Sequence, residues 1–264
     1  MNRSTLAQVA PLLREVAQRL IAPRWLRLQA GDASEKTPGE WVTVVDREVE
    51  EALSIGLSRL IPASLVVGEE QCAATPQLLD RIDDGIVWLV DPLDGTGNFI
   101  AGRTPVSSMV ALLDNGVTVA AWMLDPLTGT LHHATRGGGA WRNDQMIVAA
   151  QQPDELHRGI VKTRFLPEAL KHHIAAAGSA LELQPGSNCA GADYPDVVLA
   201  RSDFALYWRV LPWDHAPGAL FAAEAGGFVA RLDGREYRPG EQAPGLLVAR
   251  SRSLWDKARR MMPT

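Results

Sequence analysis

The stretch Ile86-Val87-Trp88-Leu89-Val90-Asp91-Pro92-Leu93-Asp94-Gly95-Thr96-Gly97-Asn98-Phe99 decides the fold and points to the chemistry. Five apolar positions from Ile86 to Val90 predict a strand buried on both faces, which places Asp91 at a strand end. Pro92 holds Asp91 in the extended region and withdraws one backbone donor. Gly95 puts no side chain between a ligand and the backbone. Asp94 or Thr96 is then expected to cap a short following helix. The N–H groups that open such a helix attract an anion, so a cation and a phosphate can meet at one turn.

Upstream, the apolar run Leu65-Val66-Val67-Gly68 reads as a second short strand and ends in Glu69-Glu70. Paired strands lie about 4.8 Å apart, so if the two are neighbours their carboxylates converge. Two like charges about 4 Å apart repel by about 4 kcal/mol at an effective dielectric of roughly 20, and such a cluster needs a cation. With oxygen donors only and no nearby histidine or cysteine, magnesium, manganese or calcium fits better than zinc. Singly, Asp-Pro-Leu-Asp-Gly also fits a plain turn and Glu-Glu a solvated loop. Their conjunction points to a site.

Four separated segments resemble the inositol monophosphatases, within the lithium-sensitive, magnesium-dependent phosphatase superfamily. Gly68-Glu69-Glu70 matches the family's first acidic motif, and Asp91-Pro92-Leu93-Asp94-Gly95-Thr96 its signature. Trp213-Asp214-His215-Ala216-Pro217-Gly218 matches the late Trp-Asp-x-Ala-x-Gly motif, and Lys36 with Val42-Thr43-Val44-Val45-Asp46 is the fourth match. They occur in family order across nearly the whole chain.

The resemblance implies that Glu69, Asp91 and the Leu93 carbonyl bind one metal, with Asp91 bridging to a second that Asp94 and Asp214 complete. It gives the backbone of Gly95 and Thr96 to phosphate. The catalytic roles fall to Asp46, Thr96 and Glu69, the first two orienting and deprotonating a metal-bound water. Glu70 supports the ligands and a third, weakly held metal, and Lys36 acts near the substrate or the metal loop. The implied cofactor is Mg2+, two or three per site, with Mn2+ as a substitute. Lithium sensitivity and a homodimer follow from the same source.

The residue types suit the reaction. A phosphate monoester repels nucleophiles, so a site must neutralise charge and make hydroxide near neutral pH; two metals about 3.5–4 Å apart do both. Cys72 and Cys189 have no evident activating partner in sequence, so no covalent route competes.

Plainer roles stand beside these. Asp46 opens an amphipathic helix with Val49, Leu53, Leu57 and Leu60 on one stripe, where it also fits an N-cap. Asp214 starts a helix that runs to Gly226-Gly227 and equally fits a cap. Lys36 alone is a solvated lysine. His132-His133 and His172-His173 lack helical metal spacing and read as structural or surface residues. Gly137-Gly138-Gly139 lacks the lysine and helix start of a phosphate loop and reads as a turn.

The chain of 264 residues carries a net charge of −5, which argues against a nucleic-acid partner. Its two cysteines fit a reducing, cytoplasmic setting. Arg3, Arg14, Glu15 and Arg19 interrupt the N-terminal apolar stripe, so this is an amphipathic helix, started or kinked near Pro11, and not a signal or membrane segment. Val106 to Leu113 and Val117 to Leu124 flank Asn115-Gly116 as a hairpin. The polar run Gln151-Gln152-Pro153-Asp154-Glu155 is the expected boundary. It separates an N-terminal α+β lobe (1–150) carrying most metal ligands from a C-terminal α/β lobe (151–264) supplying Asp214 and the specificity residues. Beyond the boundary, helices are expected near Pro167 to Ala177, near Tyr194 to Ala200 and from Ser253. The alternation predicts an α/β (α+β) protein, which the resemblance refines to a five-layer α-β-α-β-α sandwich.

The substrate is less defined. Six positions before Trp213 stands Tyr207, where an inositol phosphatase carries a glutamate for ring hydroxyls. Tyr207-Trp208-Arg209 fits either core packing or recognition of an aromatic or anionic leaving group. Ala190, in Asn188-Cys189-Ala190, falls near the family's substrate pocket. The expected reaction is magnesium-dependent hydrolysis of a small polyol, sugar or inositol-type phosphate. A 3'-phosphonucleotide or histidinol phosphatase is the alternative within that chemistry, and a regulatory binding protein retaining the fold is the alternative outside it.

Overall fold

The computed structural model describes residues 3–150, 155–177 and 179–262. Helices α1 (Arg3–Leu6) and α2 (Val9–Val16) come first, and Pro11 lies in the first turn of α2, where its missing N–H breaks no helical bond. The chain continues through a π turn over Ala17–Ile21 and a 3-10 turn over Ala22–Arg24. A hairpin of β1 (Ala33–Thr37) and β2 (Glu40–Thr43) delivers α3 (Val44–Leu60). The cap of α3 is Thr43 rather than Asp46. Thr43 accepts from helical N–H groups while Asp46 accepts from the Thr43 N–H, a capping box.

Then follow β3 (Leu65–Gly68), α4 (Glu69–Ala74), a 3-10 turn over Pro76–Arg81, β4 (Ile86–Asp94) and α5 (Thr96–Ile100). Next come β5 (Ser107–Asp114), β6 (Val117–Leu124), β7 (Leu131–Thr135), β8 (Gly139–Arg142) and β9 (Gln145–Ile147). Strands β3 to β9 form one sheet in sequence order, parallel only between β3 and β4. The β5–β6 turn has Asn115 at φ +48° and Gly116 at φ +74°, the positive pair that an Asn-Gly hairpin supplies.

The rest of the chain gives β10 (Arg158–Val161), α6 (Glu168–Ala177), β11 (Glu182–Gln184), α7 (Ala190–Val198) and β12 (Phe204–Tyr207). It ends with α8 (Pro212–Glu224), β13 (Phe228–Arg231), β14 (Leu246–Ala249) and α9 (Arg252–Arg260). The second sheet runs β11-β10-β12-β14-β13. Residues 151–154 of the expected boundary lie outside the described residues. Helix α7 starts at Ala190, four residues before the position expected from the sequence. Its glycine weakens local helix propensity but is needed for packing, because a Cβ at Gly191 would meet the Ser107 hydroxyl at 2.5 Å.

The buried clusters show the layers. Leu13 and Val16 of α2 and Val49, Leu53 and Leu57 of α3 pack on Trp88, Val110 and Trp122 of the first sheet. Met109, Ala121 and Met123 on its opposite face meet Tyr194 and Val197 of α7 and Leu220 and Phe221 of α8, which in turn cover Ala205 and Val248 of the second sheet. Leu206 and Leu247 on that sheet's far face meet Leu170 and Ile174 of α6 and Leu254 and Trp255 of α9. The stack is helix, sheet, helix, sheet, helix. Among the described residues, no helix is long and apolar enough to cross a membrane.

The middle layer is tight where α7 crosses α8, since a Cβ on Gly218 would lie 2.1 Å from the Tyr194 ring. Glycine to alanine in an open helix gains up to about 1 kcal/mol. Here overpacking, typically about 1–3 kcal/mol, opposes and outweighs that gain. Gly218→Ala is therefore expected to destabilise the protein by about 1–2 kcal/mol, read as a lower urea midpoint by circular dichroism. A raised midpoint would rule out this close packing.

Candidate metal centre

Strands β3 and β4 are parallel neighbours with Gly68 opposite Val90, so Glu69 and Asp91 leave the sheet side by side. Asp91 is not the last residue of its strand. Pairing with β5 resumes at Asp94 across an irregularity from Asp91, where Pro92 has no N–H for the ladder. Asp214 enters from the first turn of α8. Glu69, Asp91 and Asp214 each offer one oxygen, and the three oxygens lie within 4.8 Å of one another. Neither Asp46 nor Asp214 caps its helix; the residue before α8 is Leu211, which makes no side-chain cap.

Asp94 stands beside this trio. Its Oδ2 accepts the Gly191 N–H at 2.8 Å, tying the signature turn to α7. The expected capping of α5 by Asp94 or Thr96 does not occur: Gly95 occupies the N-cap at φ +88° with no side-chain cap. A Cβ there would meet the Pro105 carbonyl at 3.1 Å, so glycine serves both the turn and the close approach. The Thr96 hydroxyl instead faces Asp46 Oδ1 and the Leu93 carbonyl, both at 2.9 Å, and its single proton serves one at a time. Leu93 N–H donates to Asp91 Oδ1 at 3.0 Å.

Lys36 is not a free surface lysine. Its Nζ donates to Glu69 at 2.7 Å and to Glu70 at 2.8 Å. Glu50 is a site residue that the sequence reading missed. It is buried and accepts the N–H groups of Glu70 at 2.7 Å and Gln71 at 2.8 Å, which fixes the start of α4. A Cβ on Gly68 would lie 2.2 Å from the Glu50 carboxyl carbon, so the glycine of Gly-Glu-Glu makes room for it. The signal available was its spacing, four residues after Asp46 on one helix face. Lys162 and Asp193 were also missed; they pair at 3.0 Å, and Lys162 lines the cleft. Asn98 joins the signature turn to the second half of the chain by donating to Pro105 and Ser187 carbonyls at 2.9 and 2.8 Å.

Burial raises six carboxyl groups here. It lifts Asp46 to about 6 against the bonds from Thr43 and Thr96, and Glu69 to about 7 against Lys36. Burial likewise takes Glu50 to about 7 and Asp94 to about 6. Asp91 and Asp214 rise well above the carboxylate range through burial and then through Glu69 and Asp94. Burial works against the Lys36 charge, yet Glu69 and Glu70 hold its pKa above the ordinary lysine value. The thiols are poor nucleophiles, Cys72 pushed up to about 12 and Cys189 well above its usual range by burial.

Lys36, Glu69, Asp91, Asp94 and Asp214 line a cleft of about 1040 Å³ that also contains Gly95, Ala190, Tyr207 and Arg209. Tyr207 is 3% exposed, stacks on Tyr194 at 5.4 Å and has a hydroxyl without a hydrogen-bond partner among the described residues. Arg209 pairs with Glu40 of β2 and lies 4.2 Å over the Phe165 ring. The histidine pairs stay apart from the cluster. His133 stacks on Trp141, His132 is lowered to about 4 by burial, and His172 and His173 are exposed on α6. The triple glycine is a turn, and Glu224 accepts the N–H groups of Gly137 and Gly139 at 2.8 and 3.0 Å.

Residues 2–261 match the model of the inositol monophosphatase family. An inositol-1-monophosphatase of Mycobacterium leprae is 32% identical over 233 residues, covering 84% of this chain and 78% of its own length. One from Mesorhizobium japonicum is 32% identical over 245 residues, covering 89% and 88%. The crystal structure of extragenic suppressor protein suhB from Bartonella henselae superposes with a TM-score of 0.82 at 22% identity, covering 98% of both chains. With the whole chain matched and this fold shared, the protein is a member of the inositol monophosphatase family.

Proposed function

We propose that the chain is a magnesium-dependent phosphomonoesterase that hydrolyses a small polyol, sugar or inositol-type phosphate by direct attack of water. Family membership supports a phosphatase. The observation that carries the finer reading is the trio of Glu69, Asp91 and Asp214 oxygens beside the Thr96–Asp46 pair. The donors fit a hard divalent cation: all are oxygens, and burial has lifted their pKa values, so a bound cation relieves their mutual repulsion. Divalent ions bound there supply charge neutralisation at the phosphoryl group and a lowered pKa for the attacking water.

Glu69, Asp91 and the Leu93 carbonyl would hold one ion, and Asp91, shared between the two, would hold the second with Asp94 and Asp214. Gly95 and Thr96 receive the phosphoryl oxygens through their backbone. Asp46 draws the Thr96 proton, which leaves a Thr96 lone pair to accept from the attacking water and orient it. Lys36 holds Glu69 and Glu70 in place through its two ion pairs. Tyr207, where the inositol phosphatase pattern has glutamate, favours esters other than inositol phosphate. A 3'-phosphonucleotide or histidinol phosphate is the second substrate class for the same residues. A purely regulatory binding protein has no use for buried carboxylates forced together, which favours the enzyme.

Purified protein is expected to release phosphate from a panel of such esters with Mg2+ and to stop in EDTA; a silent panel would defeat the reading. Thr96→Val and Asp46→Asn should each cost about 10²- to 10⁴-fold in kcat while circular dichroism stays native. Asp91→Asn should lose metal affinity and turnover together, as calorimetry and steady-state assays measure; retained activity at saturating Mg2+ would overturn the bridging role.

The raised carboxyl pKa values also set a pH dependence. In the fold Asp46 and Asp94 titrate near 6 and Glu50 and Glu69 near 7, above their unfolded values near 4. Their protonation therefore stabilises the fold at low pH, and that contribution is lost as pH rises through 6 to 7. In EDTA the melting temperature should fall from about pH 5 to about pH 8, and Mg2+ should oppose the fall by binding the ionised fold. Scanning calorimetry reads both curves; a flat or rising curve in EDTA contradicts the electrostatics.

A further inference from the structure

We propose that the cleft continues into an aromatic subsite, so that the preferred substrates are phosphorylated sugars or polyols whose leaving group carries a planar aromatic or heteroaromatic ring. This rests on the phosphatase reading above and deepens it.

The main cleft, about 1040 Å³, already stands at the upper end of the roughly 300–1,000 Å³ that hold a drug-sized ligand. A second chamber of about 360 Å³ adjoins it, and Leu79, Phe165, Trp208, Arg209 and Leu211 line both spaces. Leu211 and Pro212 form part of the chamber wall and lead directly into Asp214 at the start of α8. A phosphate held at the carboxylate cluster thus lies in a cleft that shares five lining residues with the chamber. Residues 239–244 also line the chamber.

The walls select the occupant. Phe165 is 38% exposed although it is a large apolar ring, and two guanidiniums lie over it, Arg209 (anchored by Glu40) at 4.2 Å and Arg164 at 4.7 Å, so Trp208 offers the uncommitted ring of the wall. Trp208 is half-buried at the chamber wall. Ring faces and a stacked guanidinium favour another planar ring. A bare polyol suits this space poorly, because buried hydroxyls need partners. The two charged side chains of the lining, Arg209 and Glu241, are already engaged, with Glu40 and with Arg235 respectively. Polar demands are met nearer the metal centre, where Tyr207 presents a buried hydroxyl without a partner among the described residues.

A matched pair of esters tests this: phenyl and methyl β-glucoside 6-phosphate. The phenyl ester is expected to show a kcat/KM about ten-fold higher, with the difference in KM. Trp208→Ala should bring the ratio to within about two-fold. Leu79→Trp should do the same by filling the chamber while Trp208 stays in place. Equal values for the two esters, or a ratio unchanged in both variants, overturns the subsite. Binding is measured apart from turnover, by saturation-transfer NMR of the metal-free protein with phenyl and methyl β-glucoside. The phenyl compound should bind, the methyl compound should not, and Leu79→Trp should abolish binding. If phenyl β-glucoside binds and neither ester is hydrolysed, the phosphatase reading fails and the subsite stands. If both esters are cleaved equally and phenyl β-glucoside does not bind, the subsite fails and the phosphatase reading stands.

Discussion

Repulsion among the carboxylates of Glu69, Asp91 and Asp214 is the constraint on which the rest of the structure depends. Three oxygens within 4.8 Å, with Asp94 close enough to raise the neighbouring pKa values, form an arrangement that water alone does not stabilise. A folded chain tolerates it only where surrounding interactions over-determine the geometry. Those interactions are visible in the first sheet. The parallel β3–β4 pair fixes Glu69 beside Asp91, and hydrophobic packing on both faces leaves neither strand free to slip.

Polar contacts behind the cluster do the finer positioning. Glu50 grips the first amides of α4, Thr43 and Thr96 share Asp46, and Gly191 holds Asp94. These contacts orient Glu50, Asp46 and Asp94 independently of a metal. The Gly191 and Asn98 bonds span the two sheets' territories, and they make docking of α7 part of building the site. The small residues follow from the same demand, since Gly68, Gly95 and Gly191 sit where a Cβ would strike Glu50, the Pro105 carbonyl and Ser107.

Much of this was legible in the sequence because the strongest signals are local. An apolar run ending in Asp-Pro-x-Asp-Gly-Thr specifies a buried strand and a turn, and Asn115-Gly116 specifies a hairpin through positive φ at both positions. What was not legible depends on tertiary contact. Helix α7 begins at an alanine-glycine run whose helicity comes from packing on Ser107 and Met109. Thr43 takes the cap of α3 because Asp46 turns one oxygen back to it and the other to Thr96. Lys36 becomes half-buried between two glutamates only once the β1–β2 hairpin brings it to the end of β3. Glu50 announced itself only through its spacing from Asp46, a pattern that an ordinary solvated helix face also produces.

The β1–β2 hairpin contacts both the acidic cluster and the rim of the adjoining chamber. Its Lys36 reaches the acidic pair, its Glu40 anchors Arg209 at the boundary between the cleft and the adjoining chamber, and the carbonyls of Pro38 and Gly39 accept from Arg164 beside Phe165. One short element therefore touches the carboxylates that set the chemistry and the cations that border the leaving-group side. Its exposed turn carries few apolar contacts, so its position depends on these ionic and hydrogen-bonded ends. The ion pairs of Lys36 and Glu40 and the carbonyls of Pro38 and Gly39 thus tie both ends of this hairpin to the cleft.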